Sequence, residues 1–464
     1  MKIEQLYTGC LAEAAYYIES EGEAAIIDPL RETQPYTDLA QKNNSKIKYI
    51  FETHFHADFV SGHIDLAKKT GATIVFGPNA SAGYDVHIAT DGEQFKIGKI
   101  IIIAMHTPGH TLESTTWLLR DENGKDTAIF TGDTLFIGDV GRPDLAIKSD
   151  LTQEDLAGML YDSLRNKIMP LSNDVIVYPG HGAGSACGKN MSSETFATLG
   201  NQKEKNYALG NISRDEFIRE LTTGIMPAPQ YFAKDAMLNK MGYDSIDEVL
   251  TRGVKPLTLD EFAQEIANGA LILDTRNKTL FAEEFIPGSL FIGLDGQFAV
   301  WAGALITDQK QPIVLVCEEG KEEEAVLRLA RVGYDNTKGF LKGGFATWKN
   351  SGKATDKIQN ISATALAEKM KNEKLSIVDT RKPGEYNAGH VEEATSYPLD
   401  FINQHLNDLD KSKTHYLHCK SGYRSLIATS ILKRNGYKNV IDVLGGYTDI
   451  EKTSIPKTCA VCAS

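Results

Sequence analysis

The chain has 464 residues with a formal net charge of −13, 42% hydrophobic content and six cysteines. This length suggests about three domains, each large enough for its own core. The acidic balance, without a basic stripe or tail, argues against nonspecific nucleic-acid binding, and no apolar run reaches membrane-spanning length. Cysteines in apparent thiol roles fit a reducing compartment, so a cytoplasmic location is expected. The start, Met1 to Cys10, lacks the apolar segment that export requires.

In chain order, the first informative run is Lys48-Tyr-Ile-Phe-Glu-Thr, an apolar stretch of strand length that opens into His54-Phe-His56-Ala-Asp58-Phe-Val-Ser-Gly-His63. His-x-His-x-Asp presents its side chains to one side of an extended backbone, which points to a bound metal. Further candidate ligands each close a strand-like run. His110 follows Ile100-Ile-Ile-Ile-Ala and a Thr-Pro-Gly turn, Asp133 follows Ala128-Ile-Phe-Thr-Gly, and His181 follows Val175-Ile-Val-Tyr-Pro-Gly. A single Asp or His after Gly is usually a turn former, and the repetition of strand, Gly and ligand lowers the odds of that explanation.

These motifs resemble the metallo-β-lactamase superfamily over roughly residues 1–235. The resemblance implies an αββα sandwich with metal at the sheet edge where strand-end loops converge. The superfamily's usual signature is His-x-His-x-Asp-His, and here Phe59 stands at the final His, which removes one ligand of a second metal. One metal per chain is therefore expected. His54, His110 and Asp133 offer two imidazoles and one carboxylate, a set that suits Fe(II) with open positions, while zinc accepts the same ligands.

The wording around Glu52–His63, Thr107–Ser114, Gly138–Leu145 and Gly182–Met191 is similar to the persulfide dioxygenase branch, an iron-dependent oxygenase. By that resemblance His54, His110 and Asp133 bind the iron, while His56, Asp58, His181 and Arg142 orient ligands and tune the site electrostatically. His63 is expected to serve a structural role. Cys187, in the Gly-rich loop after His181, is a candidate to touch persulfide or pass sulfur, with a small loop residue as the equal alternative.

The stretch from Thr198 to Pro256 is polar and helical in flavour, and is expected to cover the metal pocket, with 236–256 as a linker. An internal repeat follows. Leu271-Ile-Leu-Asp274-Thr-Arg276 recurs as Ser376-Ile-Val-Asp379-Thr-Arg381, and Leu341-Lys-Gly-Gly344-Phe recurs as Val443-Leu-Gly-Gly446-Tyr. Alternating strand-like and amphipathic runs predict parallel sheets with helices on both faces for two copies, 257–352 and 353–464.

In the second copy, strand Thr414–His418 runs into Cys419-Lys-Ser-Gly-Tyr-Arg424 at a helix start. Loop N–H groups and the helix dipole favour an anion on the cysteine sulfur there, and Lys420 and Arg424 add positive charge. The copies resemble rhodanese domains, which carry sulfane sulfur on an active cysteine. This implies a catalytic Cys419 with Arg424 and Lys420 beside it. The first copy carries Cys317-Glu-Glu-Gly-Lys-Glu-Glu-Glu324 at the equivalent place. Its carboxylates repel thiosulfate or a persulfide anion, so this copy reads as a degenerate scaffold or oligomer contact. Asp379 with Arg381, and Asp274 with Arg276, are expected to brace the two folds. Cys459 and Cys462 have redox or metal-ligand spacing in a C-terminal tail expected to be mobile, with a sulfur relay or resolving disulfide as the sharper alternative.

The whole implies α/β multidomain architecture and a two-step chemistry. A low-molecular-weight persulfide and O2 give sulfite and thiol at iron, and Cys419 persulfide transfers sulfur to sulfite to give thiosulfate. A homo-oligomer is expected. The alternative is a zinc thioesterase resembling glyoxalase II, with the rhodanese copies regulatory.

Overall fold

The computed structural model describes residues 1–145 and 151–459, and the chain divides into two compact units, residues 1–246 with 330–333, and residues 247–329 with 334–464. In the first unit, β1 (Lys2–Thr8), β2 (Glu13–Ser20), β3 (Glu23–Ile27), β4 (Lys46–Phe51), β5 (Thr73–Phe76) and β6 (His87–Ile88) form one sheet in sequence order. The second sheet runs β12-β11-β10-β9-β8-β7, from β7 (Gln94–Ile97), β8 (Ile100–His106), β9 (Thr115–Arg120), β10 (Asp126–Gly132), β11 (Ile176–Pro179) and β12 (Ala197–Thr198).

Strand alternation sorts the side chains into three apolar layers. Tyr16, Ile18, Ile27 and Phe51 of the first sheet meet Ile102, Ala104, Trp117 and Phe130 of the second. On the far side of the first sheet, Tyr17, Ala24 and Ile26 pack against Tyr36 and Ala40 of α1 (Gln34–Lys42) and Leu66 of α2 (His63–Thr70). On the far side of the second, Ile103, Met105 and Ile129 pack against α3 (Gln153–Ser163), Leu199 of α4 (Leu199–Lys205) and Phe217 of α5 (Arg214–Thr222). The run Ile100–Met105 reads as continuously apolar because both of its faces are covered. The result is the αββα sandwich.

Residues 236–256, expected as a linker, are largely helical, and the boundary between the two units falls within them. Helix α6 (Phe232–Met241) continues through Met241, and α7 (Ile246–Gly253) follows after four residues. Asn239 of α6 is buried and hydrogen-bonded to the His56–Ser61 loop of the first unit.

The second unit repeats one topology twice. The first copy contains β13 (Pro256–Leu257), α8 (Leu259–Ala267), β14 (Leu271–Asp274), α9 (Lys278–Glu283), β15 (Leu290–Phe291), α10 (Phe298–Leu305), β16 (Ile313–Val316), α11 (Glu322–Ala330), β17 (Thr337–Leu341) and α12 (Gly344–Asn350). The second contains β18 (Gln359–Ser362), α13 (Ala363–Met370), β19 (Ser376–Asp379), α14 (Pro383–Ala388), β20 (Gly389–Val391), β21 (Thr395–Ser396), β22 (His415–His418), α15 (Tyr423–Arg434), β23 (Val440–Leu444), α16 (Gly446–Ile450) and β24 (Lys457–Cys459). Both main sheets are parallel, in the orders β13-β17-β16-β14-β15 and β18-β23-β22-β19-β21, so each strand of one copy has its counterpart in the other. Asp274 with Arg276 and Asp379 with Arg381 form the same buried bidentate pair in both. In the C-terminal tail, β24 pairs antiparallel with β20, setting Cys459 opposite Gly389, and Cys462 lies outside the described residues.

Candidate metal centre and cysteine loop

Strands of both sheets deliver the histidines and carboxylates of the first unit to one edge. β4 of the first sheet leads to His54, while β8, β10 and β11 of the second lead to His110, Asp133 and His181. All six of His54, His56, Asp58, His110, Asp133 and His181 are buried. Donor atoms of His54, His110 and Asp133 lie within 4.8 Å of one another, as do those of His56, Asp58 and His181, and those of Asp133, His181 and Cys187.

Hydrogen bonds on the outer ring nitrogens set the tautomers. The carbonyl of Arg142 lies 2.7 Å from His110 Nδ1 and takes its proton, which leaves Nε2 as a lone-pair donor 3.4 Å from Asp133 Oδ2. Thr53 Oγ1 is 2.9 Å from His54 Nδ1 and donates to Asp28 Oδ2 at 2.8 Å. Because that hydroxyl gives its own proton to Asp28, it accepts from His54 Nδ1–H and leaves His54 Nε2 free. Burial, then the neighbouring imidazoles His56, His110 and His181, hold His54 well below the usual histidine range, so it is neutral and able to bind a cation.

Both oxygens of Asp133, both ring nitrogens of His56, Asp58 Oδ1 and His181 Nε2 are buried without a hydrogen-bond partner. Leaving that many polar atoms unpaired is costly, and the donor set of neutral imidazoles with carboxylates fits a divalent metal. Glycines let the loops close around these donors. A Cβ on Gly141 would stand 2.1 Å from the Asp133 carbonyl oxygen and 2.9 Å from His110 Nδ1.

Phe59 is fully buried, with its ring 4.3 Å from that of His56. His63 belongs to none of these donor groups, and its Nδ1 lies 3.5 Å from Glu52 Oε1. Its Nε2 bonds the Tyr84 hydroxyl at 2.6 Å, and burial, then His56, pulls it down to about 3. Arg142 acts on the site through its main chain. Its guanidinium is engaged by both oxygens of Asp144 at 2.7 Å and by the carbonyls of Ala186 and Met226, so it contributes to the site through its backbone carbonyl and by tethering the Cys187 loop. Cys187 is buried beside Asp133 and His181, and burial, then Asp58 and Asp133, pushes its thiol well up.

Sequence reasoning missed Asn239. Its Nδ2 donates to the carbonyls of His56 and Phe59, both at 2.7 Å, and its Oδ1 accepts from Ser61 N–H at 2.9 Å. One amide thus fixes the loop carrying His56 and Asp58. Nothing in Met237-Leu-Asn-Lys-Met distinguishes this residue.

In the second unit, β22 ends at His418 and is followed at once by Cys419, whose Sγ accepts from Gly422 N–H at 3.1 Å and from Ser425 Oγ at 3.6 Å. The turn places Gly422 at φ +92°, a conformation that favours glycine, and α15 starts at the next residue. Arg424 forks onto Glu385 at 2.5 and 2.8 Å. Lys420 is exposed, and its carbonyl ties down the loop by accepting from Thr448 N–H at 3.1 Å. The cations that line the cavity beside Cys419 are Arg424, Lys382 and Lys278. In the first copy Cys317 is buried, accepts from Thr275 Oγ1 at 3.3 Å, and is pushed up to about 12 by burial and by Glu322, Asp274 and Glu318.

Comparison with known proteins agrees with this architecture. A model of the metallo-beta-lactamase superfamily matches residues 8–181, and one of the rhodanese-like domain matches residues 258–351 and 362–453. The mitochondrial persulfide dioxygenase of Homo sapiens is 30% identical over 210 residues, 45% of this chain and 74% of that protein. A probable hydroxyacylglutathione hydrolase of Schizosaccharomyces pombe is equally similar, 30% over 219 residues, 46% of this chain and 78% of that one. A solved metallo-beta-lactamase structure from Staphylococcus aureus superposes with a TM-score of 0.64 at 30% identity, covering 74% of this chain and 98% of the other. Fold and donor cluster define a metal-binding αββα domain joined to a tandem of parallel-sheet domains, one bearing a strand-end cysteine. The chain belongs to the metallo-beta-lactamase superfamily, with persulfide dioxygenase homologues, and two rhodanese-like domains follow its metal domain.

Proposed function

We propose that the protein oxidises low-molecular-weight persulfides with O2 to sulfite and thiol at a single Fe(II), and transfers sulfur from a Cys419 persulfide to sulfite, giving thiosulfate. His54, His110 and Asp133 would hold the metal, which when bound supplies redox chemistry and open coordination positions. The observation that carries the single-metal reading is Phe59, an apolar ring packed on His56 where the superfamily signature has an imidazole.

The chain's own residues prepare the site. Thr53 and the Arg142 carbonyl fix the two imidazoles so that each presents Nε2 inward, and Asn239 holds the adjoining loop. His181 Nδ1–H is held by the Ala12 carbonyl at 3.3 Å, and its Nε2 lies between Asp58 and Asp133, at 3.4 and 3.5 Å. Burial opposes its charge, but those two carboxylates outweigh it and raise its pKa. Cys187 borders the same donors, which suits it to contact a persulfide or relay its sulfur. In the second unit, Gly422 N–H and the Ser425 hydroxyl stabilise negative charge on Cys419 sulfur.

Oxygen uptake by iron-loaded protein given a low-molecular-weight persulfide, against a zinc-loaded control, tests the first activity. His110→Ala should lose both iron and uptake. Cys419→Ser should keep uptake and lose thiosulfate formation, and loss of both would contradict the division of labour. The neighbouring donors His56, Asp58 and His181 favour a second reading, a zinc thioesterase with regulatory rhodanese-like copies. Hydrolysis of a glutathione thioester by the zinc form, without oxygen uptake by the iron form, would select it.

A further inference from the structure

The cavity beside Cys419 has a volume of about 720 Å³ and is walled by both rhodanese-like copies. That volume is in the range of sites for organic ligands and far exceeds what a small sulfur oxyanion fills. Copy two contributes Cys419, Lys382 and Arg424, while copy one contributes Asn277, Lys278, Asp295 and Trp301. The charges are not equivalent. Arg424 is neutralised by Glu385, whereas Lys278 Nζ donates to the Ser421 carbonyl at 3.2 Å, feels the buried Asp442 carboxylate, and forms no salt bridge among the described residues.

Asp295 takes one hydrogen bond, from Asn277 Nδ2 at 2.9 Å, and among the described residues forms no ion pair. Asn277 is itself held by Glu318, which accepts its backbone N–H at 3.1 Å. The acidic loop after Cys317 therefore has a use unrelated to sulfur chemistry. It fixes the residue that fixes Asp295. Trp301 adds an aromatic surface to the same wall, a favourable neighbour for a cation.

We propose that copy one is the specificity wall of the Cys419 pocket, and that the pocket takes the persulfide of an amino-acid-type thiol as sulfur donor. Its ammonium group is recognised by Asp295 and Trp301, and its carboxylate by Lys278 and Lys382. This rests on the reading of Cys419 as a persulfide carrier. In the transfer, the Cys419 thiolate attacks the outer sulfur of the donor. A new S–S bond forms at Cys419 as the donor S–S bond breaks, and the donor thiolate leaves with the electron pair and takes a proton from solvent. One disulfide-type bond replaces another, so no external oxidant or reductant enters.

The test compares cysteine persulfide with 3-mercaptopropionate persulfide, which lacks only the ammonium group, as donors to the full-length protein with sulfite as acceptor. Thiosulfate formation should favour cysteine persulfide about tenfold in kcat/KM, the size of one charge-assisted contact, expressed in KM. Asp295→Asn, a conservative change at an exposed position, should bring the ratio of the two donors close to one. Equal use by the unaltered protein, or a preference that survives in Asp295→Asn, would overturn the proposal. Transfer that persists with both donors in Cys419→Ser would instead overturn the Cys419 reading, and the specificity wall with it.

Discussion

Replacing Asn239 with Leu removes three hydrogen bonds while keeping the side chain's bulk. The carbonyls of His56 and Phe59 lose their donor, and Ser61 N–H loses its acceptor, at a residue that is 1% exposed. An unpaired buried polar group costs about 1–3 kcal/mol. At the low end, allowing for relaxation of the loop, the sum is about 3 kcal/mol. For a unit of this size, 1 kcal/mol moves the midpoint by about 2–4 °C, so the expected fall is about 6–12 °C. Calorimetry of the full chain reads it, with the transition of the first unit recognised by its shift when metal is chelated. The loop carrying His56 and Asp58 also loosens, so metal should be lost to a competing chelator sooner than from the unaltered protein. Asn239→Asp keeps the acceptor for Ser61 but sets a carboxylate oxygen against two carbonyls, and should be no better than Leu. A midpoint within about 2 °C of the original, with unchanged metal retention, would refute the claim that α6 pins the metal loop.

Gly141→Ala should lower metal content sharply and also cost stability, since its Cβ would stand 2.1 Å from the Asp133 backbone carbonyl oxygen, which must shift, and would press on His110 Nδ1. Elemental analysis after dialysis checks this, and full occupancy would contradict it. Cys317 should resist iodoacetamide at pH 8 in the folded protein, because a thiol pushed up to about 12 carries almost no thiolate there. Mapping the alkylated cysteines by mass spectrometry reads the outcome, with unfolded protein as the positive control. Asp442, raised by burial from 3.8 to about 6, binds its proton more tightly folded than unfolded. Its contribution therefore falls as pH rises from near 4 to near 6, and above that the full penalty, at most about 3 kcal/mol, is present. Asp442→Asn should accordingly stabilise the second unit at pH 7 and not at pH 4, as read by denaturant unfolding, and equal effects at both pH values would contradict the assignment.

Much of the architecture is legible in the sequence, because the signals are local. Continuous apolar runs such as Ile100–Met105 mark strands buried on both faces, and turns ending in Gly place candidate ligands at strand ends. The repeated Asp-Thr-Arg segments foretell two parallel sheets of the same order, since each Asp–Arg pair closes within two residues and needs no distant partner. His54, His56, Asp58, His110, Asp133 and His181 stand out through residue type and their places after strands, and the fold brings the donor atoms of His54, His110 and Asp133 together.

Tertiary structure decided what depends on residues distant in sequence. Asn239 lies 183 residues from His56, in a helix of unremarkable composition, and only folding reveals its three bonds. Arg142 holds His110 through a carbonyl, a group every residue has, so its identity carries no signal of that contact. Beside Cys419 the cavity is lined by Lys382 and Lys278 as well as Arg424, because a cavity wall is drawn from whichever elements face it. A sequence names its own chemistry wherever neighbours along the chain make the site, and leaves to the fold every contact built from ordinary groups brought together across it.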